Sequence, residues 1–467
     1  MKRVRRLAIA GLVLLVGACA APSALAPGED AIRATFVVQG DGGISIARVI
    51  TGDPSCPAVD VDGVALPMSI RAVPATLPLR PTESRPAAAK PSAFPVLVCE
   101  RRLPAGAERA SVGGHTLPLL HREARRIVIL GDTGCAIQGA IGAIQACNDS
   151  TAWPFAQIAA AAANKRPDLV IHVGDYLYRE NGCPDGNPKC AGSPWGYGWD
   201  AWNADFFAPA RALLSAAPWV FVRGNHESCA RAGQGWWRFL DPRPLVAGRD
   251  CNDPGNDLAG DFSEPYAVPL SADVQLIVFD SSRAGVTPLA ADDPVFSIYS
   301  GELERAFELA RGTAHNFFVD HHPILGFATD VGRQPPGVYP GNAALQSVLA
   351  AQNGLALFPS GIDATIAGHD HLFEAVGFAT AHPAQLIAGN GGTRLDQPLP
   401  RPLPPGATPA RGAIVATVTS TTAFGFVTLE RTARAAWRID AWDRRGHLMT
   451  SCELDQRKIA CRPQALP

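Results

Sequence analysis

The chain has 467 residues, of which 47% are hydrophobic and 18% charged, a balance that is typical of a globular protein and argues against a disordered one. Its length predicts two or three domains, and its 45 glycines and 41 prolines indicate many loops and turns rather than a helical bundle. The formal net charge of −2 offers no basic excess of the kind that nucleic-acid binding requires, so we expect no nucleic-acid partner.

The first 18 residues have the layout of a signal peptide. Basic residues at positions 2, 3, 5 and 6 precede an apolar stretch, residues 7–17, that is too short to span a membrane. The stretch ends in Leu-Val-Gly-Ala-Cys at Cys19, which resembles the lipobox of bacterial lipoproteins, where the cysteine is lipidated. We expect residues 1–18 to be removed, Cys19 to carry lipid, and residues 19–30 to form a tether; secretion without a lipid is the alternative.

This N-terminus predicts export across the bacterial inner membrane, to a lipid-anchored position in the envelope or periplasm or else to the outside. Signal removal takes four of the 41 basic residues and leaves all 43 acidic ones, so the mature chain is more acidic. No later stretch is apolar over the length of a membrane span, and the lipid on Cys19 is therefore the one membrane contact that we expect.

Ten cysteines remain beside Cys19, and export predicts that they form disulfides. A cysteine-rich zinc site is the alternative, but the chain lacks the Cys-x-x-Cys spacing that such sites use. Sequence alone does not determine connectivity. Our hypothesis pairs sequence neighbours, as Cys56–Cys99, Cys135–Cys147, Cys183–Cys190, Cys229–Cys251 and Cys452–Cys461.

Residues 31–123 read as a small N-terminal all-β domain of the sandwich type. Short β-like runs at residues 33–38 and 94–98 alternate with turns. Residues 74–95 are rich in proline and predict an exposed loop. This segment holds no candidate site residue.

From residue 124 to residue 467 the pattern predicts an α/β domain. Apolar runs rich in β-branched residues, typical of strands covered on both faces, alternate with helical stretches. The predicted strands are residues 127–130, 169–173, 219–222, 274–279, 316–319 and 364–366, and the helices are residues 155–164 and 206–216. A proline-dense linker, residues 397–409, leads to a C-terminal β segment, residues 412–461, which we place on the sheet of this domain.

Residues that bind metals or phosphate follow five of these strands directly. They are Gly131-Asp132-Thr133-Gly134, Gly174-Asp175-Tyr176-Leu177-Tyr178, Gly224-Asn225-His226-Glu227, Asp320-His321-His322-Pro323 and Gly368-His369-Asp370-His371. An Asp or Asn after Gly at a strand end is often only a turn former, but five such coincidences are unusual. Because open α/β sheets bind ligands at the carboxyl edge of the strands, we expect the five motifs to converge at a single sheet edge.

These side chains are numerous enough to hold two metal ions, which need a ligand that reaches both. We assign Asp175 as the bridge and Asp132, Tyr178 and His371 to the first ion. A phenol ionises near pH 10 unless a strong Lewis acid binds it, which favours Fe(III) for this ion.

The second ion would be a softer divalent cation, Zn, Fe or Mn, held by Asn225, His321 and His369. His226 follows Asn225 directly and is a candidate to contact phosphate or to give a proton to the leaving group. His322 is next to a proposed ligand and is a candidate to orient the substrate, with a simply exposed side chain as the alternative.

The five motifs together resemble those of the purple acid phosphatases, which lie within the calcineurin-like metallophosphoesterases. The resemblance covers residues 125–400 or so and implies a layered β-sandwich flanked by helices. Many relatives carry Asp-x-His in the first motif; here Gly134 replaces the histidine, and the resemblance implies that Tyr178 supplies the missing ligand. It further implies an Fe(III)–M(II) centre, and hydrolysis of phosphate monoesters by a metal-bound hydroxide without a phospho-enzyme.

Two other functions remain open. The same metal centre serves phosphodiesterases and nucleotidases, which differ in the shape of the pocket. The other is a catalytically inactive, envelope-tethered binding protein. A site that had lost its activity would be expected to lack some of the seven proposed ligands, which argues against this function. The natural substrate and the oligomeric state are left undetermined by the sequence.

Overall fold

The computed structural model describes residues 31–80, 82, 89–120, 123–139 and 141–463. The expected signal peptide, the tether and the lipidation site Cys19 lie outside these residues. Within them, each helix is too short or too polar to cross a membrane.

The described residues form two large sheets, smaller sheets and flanking helices. The strands of the N-terminal part are β1 (Ile32–Gln39), β2 (Ser45–Thr51), β3 (Ala58–Val61), β4 (Val64–Pro67), β5 (Ser69–Ala72), β6 (Ala75–Leu77), β7 (Ser92–Phe94), β8 (Leu97–Arg102), β9 (Ala110–Val112) and β10 (His115–Leu117). Those that follow are β11 (Arg126–Leu130), β12 (Ile137–Gln138), β13 (Ala143–Ile144), β14 (Leu169–His172), β15 (Trp219–Phe221), β16 (Tyr266–Pro269), β17 (Val274–Val278), β18 (His315–Val319), β19 (Phe327–Asp330), β20 (Gly337–Pro340), β21 (Ile362–Ala367), β22 (Phe373–Phe378), β23 (Ala384–Ala388), β24 (Val415–Thr421), β25 (Gly425–Arg431), β26 (Ala436–Asp443), β27 (Leu448–Asp455) and β28 (Lys458–Pro463).

The α-helices are α1 (Phe155–Ala163), α2 (Trp199–Trp202), α3 (Ala208–Leu214), α4 (Gly233–Phe239), α5 (Asp257–Gly260), α6 (Pro294–Ala310) and α7 (Ala343–Asn353). A π-helical turn, Asn203–Phe207, joins α2 to α3. The helix predicted at residues 206–216 therefore begins earlier than expected. Short 3₁₀ turns lie at Asp41–Gly43, Asn225–Glu227, Pro254–Asn256 and Gly354–Ala356.

The first large sheet has the order β28-β27-β26-β25-β11-β14-β15-β1-β2-β8-β5. Its central strands β11, β14 and β15 are parallel and buried, which explains their unbroken apolar sequences. The C-terminal strand β25 pairs antiparallel with β11, so the C-terminal β segment continues this sheet.

The N-terminal strands join the same sheet. β1 pairs in parallel with β15, where Val38 lies opposite Trp219, and antiparallel with β2. A four-stranded sheet, β10-β9-β3-β4, covers β1, β2 and β8 through a separate apolar core. The region expected to be an exposed loop is partly folded, since β6 pairs with β7 and buries Leu77 and Phe94. That part of the loop prediction is wrong, because apolar side chains flank the prolines.

The second large sheet has the order β16-β17-β18-β21-β23-β22-β24, with β17, β18, β21 and β23 parallel. It packs face to face on the first sheet through apolar residues such as Ile129, Ile171, Phe317 and Ile366. Helices α1 to α4 cover the outer face of the first sheet, and α6 and α7 cover that of the second. The predicted layered β-sandwich flanked by helices is thus confirmed.

The five disulfides of the described residues follow the predicted pairing of sequence neighbours. They are Cys56–Cys99, Cys135–Cys147, Cys183–Cys190, Cys229–Cys251 and Cys452–Cys461. Disulfides of this number are typical of proteins in oxidising compartments.

Candidate metal centre

The predicted ligands lie together at the carboxyl ends of the parallel strands, but they come from two sheets. Asp132, Asp175 and Asn225 follow β11, β14 and β15 of the first sheet, whereas His321 and His369 follow β18 and β21 of the second. The prediction of a single sheet edge is therefore wrong. Sequence periodicity identifies strands but not which of them share a sheet.

Three of the predicted ligands have left-handed backbone conformations, which are uncommon for residues other than glycine. The φ angles are 57° at Asp132, 59° at Asp175 and 68° at His369. Such strain costs about 1–3 kcal/mol per residue and is concentrated at functional sites. The three strand ends are thus bent so that their side chains turn toward one another.

Four of the predicted ligands meet at the phenol oxygen of Tyr178. This oxygen lies 2.9 Å from Asp175 Oδ2, 3.1 Å from Asp132 Oδ1 and 3.0 Å from His371 Nε2. A side chain at Gly134 would overlap the backbone of Tyr178 and Tyr176 and the Asp205 carboxylate, so the histidine common in relatives does not fit there.

The remaining predicted ligands meet at the amide oxygen of Asn225. This Oδ1 lies 3.0 Å from His321 Nε2 and 3.1 Å from His369 Nδ1. His321 Nε2 also lies 3.2 Å from Asp175 Oδ2, the oxygen that contacts Tyr178. One carboxylate oxygen therefore belongs to both clusters.

Two of the histidines are oriented as metal ligands commonly are. The Nδ1 of His321 lies 2.8 Å from the Val173 carbonyl, and that of His371 lies 2.8 Å from the Arg394 carbonyl. A ring N–H that donates to a carbonyl leaves Nε2 with a free lone pair. In both rings that Nε2 points at the clustered oxygens.

The donor set fits cations because it contains more acceptors than hydrogens. Tyr178 has one hydroxyl hydrogen, but two carboxylate oxygens and the His371 Nε2 surround it. Burial favours the neutral His321 ring, yet Asp175 and Asp132 raise its pKa to about 10. Burial, followed by these two carboxylates, also raises the pKa of the Tyr178 phenol. The pocket therefore favours positive charge strongly, and ligand oxygens and nitrogens about 3 Å apart suit ions with bonds of about 2.0–2.2 Å.

Buried acidic residues that are not among the proposed ligands hold the loops in place. Glu227 accepts hydrogen bonds from the backbone N–H groups of Asp175, Tyr176, Leu177 and Gly224. Its place in the Asn-His-Glu motif was visible in the sequence, but its role was not.

Asp205 serves the neighbouring loops in the same way. It accepts from the backbone N–H groups of Cys135, Tyr178 and Arg179 and pairs with the Arg179 guanidinium. No sequence signal marked Asp205, because it lies inside a helical stretch 26 residues or more from its partners.

His226 lies beside the Tyr178 ring, with centroids 3.9 Å apart, and its backbone N–H donates to Asp175 Oδ1. Its Nδ1 lies 2.7 Å from Glu180 Oε1, and Glu180 also pairs with Arg231. Burial alone would raise the pKa of Glu180, but Arg231 and His226 lower it to about 2. Nothing in the sequence marked Glu180 and Arg231, which together fix the His226 ring.

His322 is buried, not exposed, and its ring is held by Ser281. The Ser281 hydroxyl accepts the backbone N–H groups of His321 and His322, at 3.1 Å each, and lies 3.2 Å from His322 Nδ1. With both backbone donors accepted, the hydroxyl hydrogen is left to donate to Nδ1, so Nε2 carries the ring hydrogen. Burial also lowers the pKa of His322, which keeps the ring neutral.

A cavity of about 440 Å³ opens beside this half of the site. His322 and His369 line its inner end, and the hairpin of β19 and β20 lines the outer part. The candidate site therefore joins a cluster of buried metal-binding groups to a space that a small molecule can occupy.

The family model of calcineurin-like phosphoesterases matches residues 125–373, more than half of the chain. This chain belongs to that family. The calcineurin-like phosphoesterases hydrolyse phosphoric esters, so the chain is a metallophosphoesterase that acts on a phosphate ester, and a dinuclear metal centre is expected for its fold. A sequence comparison with curated proteins gave no match.

Solved structures resemble this phosphoesterase at low sequence identity. The purple acid phosphatase PPD1 from seeds of yellow lupin (Lupinus luteus) is 14% identical, with a TM-score of 0.55 over 89% of this chain and 72% of that one. A PhoD structure is 10% identical, with a TM-score of 0.49 over 93% and 92% of the two chains. A dimetal phosphatase from Danio rerio is 12% identical, with a TM-score of 0.39 over 72% and 99%. The TM-score of 0.55 shows that this chain shares the fold of the lupin enzyme.

Proposed function

We propose that this phosphoesterase is an exported two-metal phosphatase of the purple acid type that hydrolyses phosphate monoesters. The observation that carries the proposal is the shared oxygen: Asp175 Oδ2 lies 2.9 Å from Tyr178 Oη and 3.2 Å from His321 Nε2. A carboxylate oxygen between two donor clusters suits a bridge between two ions.

We assign the first ion to Asp132, Asp175, Tyr178 and His371 and the second to Asp175, Asn225, His321 and His369. Bound there, two cations would supply Lewis acidity to the phosphoryl group and lower the pKa of water. The hard oxygens around the first position, including a phenol, favour Fe(III); the two imidazoles of the second favour Zn, Fe or Mn.

The two remaining histidines would act on the substrate. His322 presents Nε2–H beside the cavity and would donate a hydrogen bond to a phosphoryl oxygen, since Ser281 holds its Nδ1. His226 is held by Glu180 and lies 3.8 Å from Asp175 Oδ2, where we assign it to contact phosphate or to protonate the leaving group.

The test of the centre is phosphate release by protein isolated with its native metals. We expect Asp175→Ala to lower kcat by about 10³-fold or more and to lose bound metal, because the residue reaches both positions. Elemental analysis and turnover of phenyl phosphate measure the two effects. An Asp175→Ala variant with unchanged phosphate release would disprove the catalytic assignment and leave the binding protein as the reading.

Tyr178→Phe separates the purple type from other phosphoesterases. A tyrosinate bound to Fe(III) absorbs visible light, so the native protein should be coloured and the variant should lose the band. A colourless protein with two zinc or manganese ions would remove iron from the proposal without removing hydrolysis. The diester bis-phenyl phosphate, measured alongside phenyl phosphate, tests the alternative of a phosphodiesterase.

A further inference from the structure

The cavity beside His322 and His369 has a mostly apolar wall. Six of its lining side chains are apolar or aromatic: Val286, Pro323, Ala328, Tyr339, Pro340 and Ala343. Among the described residues that line it there is no lysine or arginine, and Asp370 contributes a carboxyl group. The wall therefore lacks a cation that could pair with a second anionic group of a substrate.

The Asn342 side chain in this wall already forms its hydrogen bonds within the protein. Asn342 Oδ1 accepts the backbone N–H of Leu345, and its Nδ2 donates to the Gly285 carbonyl at 3.0 Å. Tyr339 lines the cavity from β20, with 55% of its surface exposed. Most of what the side chains of this wall present to a ligand is apolar.

The wall is also fixed in shape. Tyr339 and Ala328 are cross-strand partners on β20 and β19, so a large side chain lies beside a small one. The backbone N–H of Phe327 donates to Glu374 Oε1 at 3.0 Å, and Thr329 Oγ1 lies 3.0 Å from the Gln397 carbonyl. A preformed pocket binds a matching group without the cost of ordering its own residues.

We propose that this cavity holds the organic group of the phosphate ester and selects an uncharged, apolar group, such as an aryl or branched alkyl group, over one that carries a further phosphate or carboxylate. The inference rests on the proposed function, because it takes the metal centre as the position of the phosphoryl group. The apolar wall buries such a group favourably, whereas an additional anion would lose its hydration against this wall without gaining a cationic partner from it.

The test uses two substrates that differ in charge but little in the reactivity of the phenol: 3-(carboxymethyl)phenyl phosphate and its methyl ester. We expect kcat/KM to favour the ester by about tenfold with the metal-loaded protein. Tyr339→Arg should reverse the preference, because it places a cation in the wall. The matched control Val331→Arg changes an exposed residue of the same hairpin that does not line the cavity, and should leave the ratio unchanged.

Binding of the corresponding phosphonates, measured by titration calorimetry, separates this inference from the proposed function because phosphonates need no turnover. Tighter binding of the methyl ester supports the inference even if the protein hydrolyses neither substrate, an outcome that would disprove the phosphatase proposal alone. Equal or tighter binding of the carboxylate, or faster turnover of it, would overturn the inference and leave the phosphatase proposal intact.

Discussion

Buried carboxyl groups in this phosphoesterase differ in whether a cationic side chain pairs with them. Burial alone would raise the pKa of Glu100, but the buried guanidinium groups of Arg48 and Arg71 lower it. Among the described residues, Glu302 on α6 forms no ion pair with an arginine, and its Oε2 makes no hydrogen bond. Burial, followed by the charge of Asp280, raises the pKa of Glu302 to about 9. Glu302 is therefore neutral at pH 7 in the folded protein.

Glu302→Gln should stabilise the protein at neutral pH. The folded pKa of Glu302 lies above its unfolded value, so its contribution to stability is lost as pH rises from about 4.5 to about 9. We expect the variant to gain about 1–3 kcal/mol of unfolding free energy at pH 7 and little at pH 4. Urea denaturation at both values measures this. Glu304→Gln, on the exposed face of α6, is the control; an equal gain at pH 4 would contradict a charge effect.

At the scale of elements, glycines let the strand ends approach one another. A Cβ at Gly224 would overlap Oδ1 and the backbone nitrogen of Asp175, one at Gly174 would overlap the His321 ring, and one at Gly368 would lie against Asp132. Each proposed ligand cluster thus depends on the absence of a side chain in the adjoining loop.

Gly224→Ala and Gly301→Ala should have opposite effects. The first would displace Asp175, and we expect loss of metal and a fall in kcat of about 10²-fold or more. The second lies inside α6 with open space around it, so alanine should raise stability by about 0.5–1 kcal/mol without changing turnover. Metal content, phosphate release and thermal unfolding of both variants measure this. Retention of metal and activity in Gly224→Ala would contradict the close-approach argument.

The sequence predicted strands well where both faces of the strand are buried, because burial requires apolar residues. Strands β11 and β14 lie within a residue of the predicted ranges, because a strand covered on both faces needs a continuous apolar run. The predicted ligands lie in the loops after these strands, because polar residues follow where each apolar run ends. The contacts of Asp205 and Ser281 were not predictable, because each acts on backbone groups that only the folded chain brings near.

At the scale of the whole molecule, the N-terminal strands are continuous with the catalytic sheet, and buried charges reinforce that junction. Arg48 donates to the carbonyls of Phe239 and Asp241, at the end of α4, and pairs with Glu100. Arg71 donates to the carbonyls of Trp237 and Arg238 at the same end of α4. The boundary of a separate domain at residues 31–123 stays a prediction. Helix α4 follows the motif that carries His226, so the two arginines connect the N-terminal strands to the element that comes after this motif.

Arg48→Met should therefore destabilise the N-terminal strands and the rest of the described chain together. It leaves the α4 carbonyls without their donor and removes a buried partner of Glu100, for an expected cost of about 3–5 kcal/mol. Calorimetry should show one transition, shifted to lower temperature. The exposed Arg102 on β8 offers the control Arg102→Met, which should change stability by less than about 0.5 kcal/mol. Two separate transitions would show that the N-terminal strands unfold independently.

The two sheets each hold only part of the ion-binding set, with Asp132, Asp175 and Asn225 on one and His321 and His369 on the other. Ions bound there would cross-link the two sheets of the sandwich, because any sliding of one sheet against the other would pull the ligands of the ions apart. Metal binding and the packing of the two sheets should therefore be coupled. A chelator should weaken the packing between the sheets, and a core substitution far from the ions should lower the affinity for them.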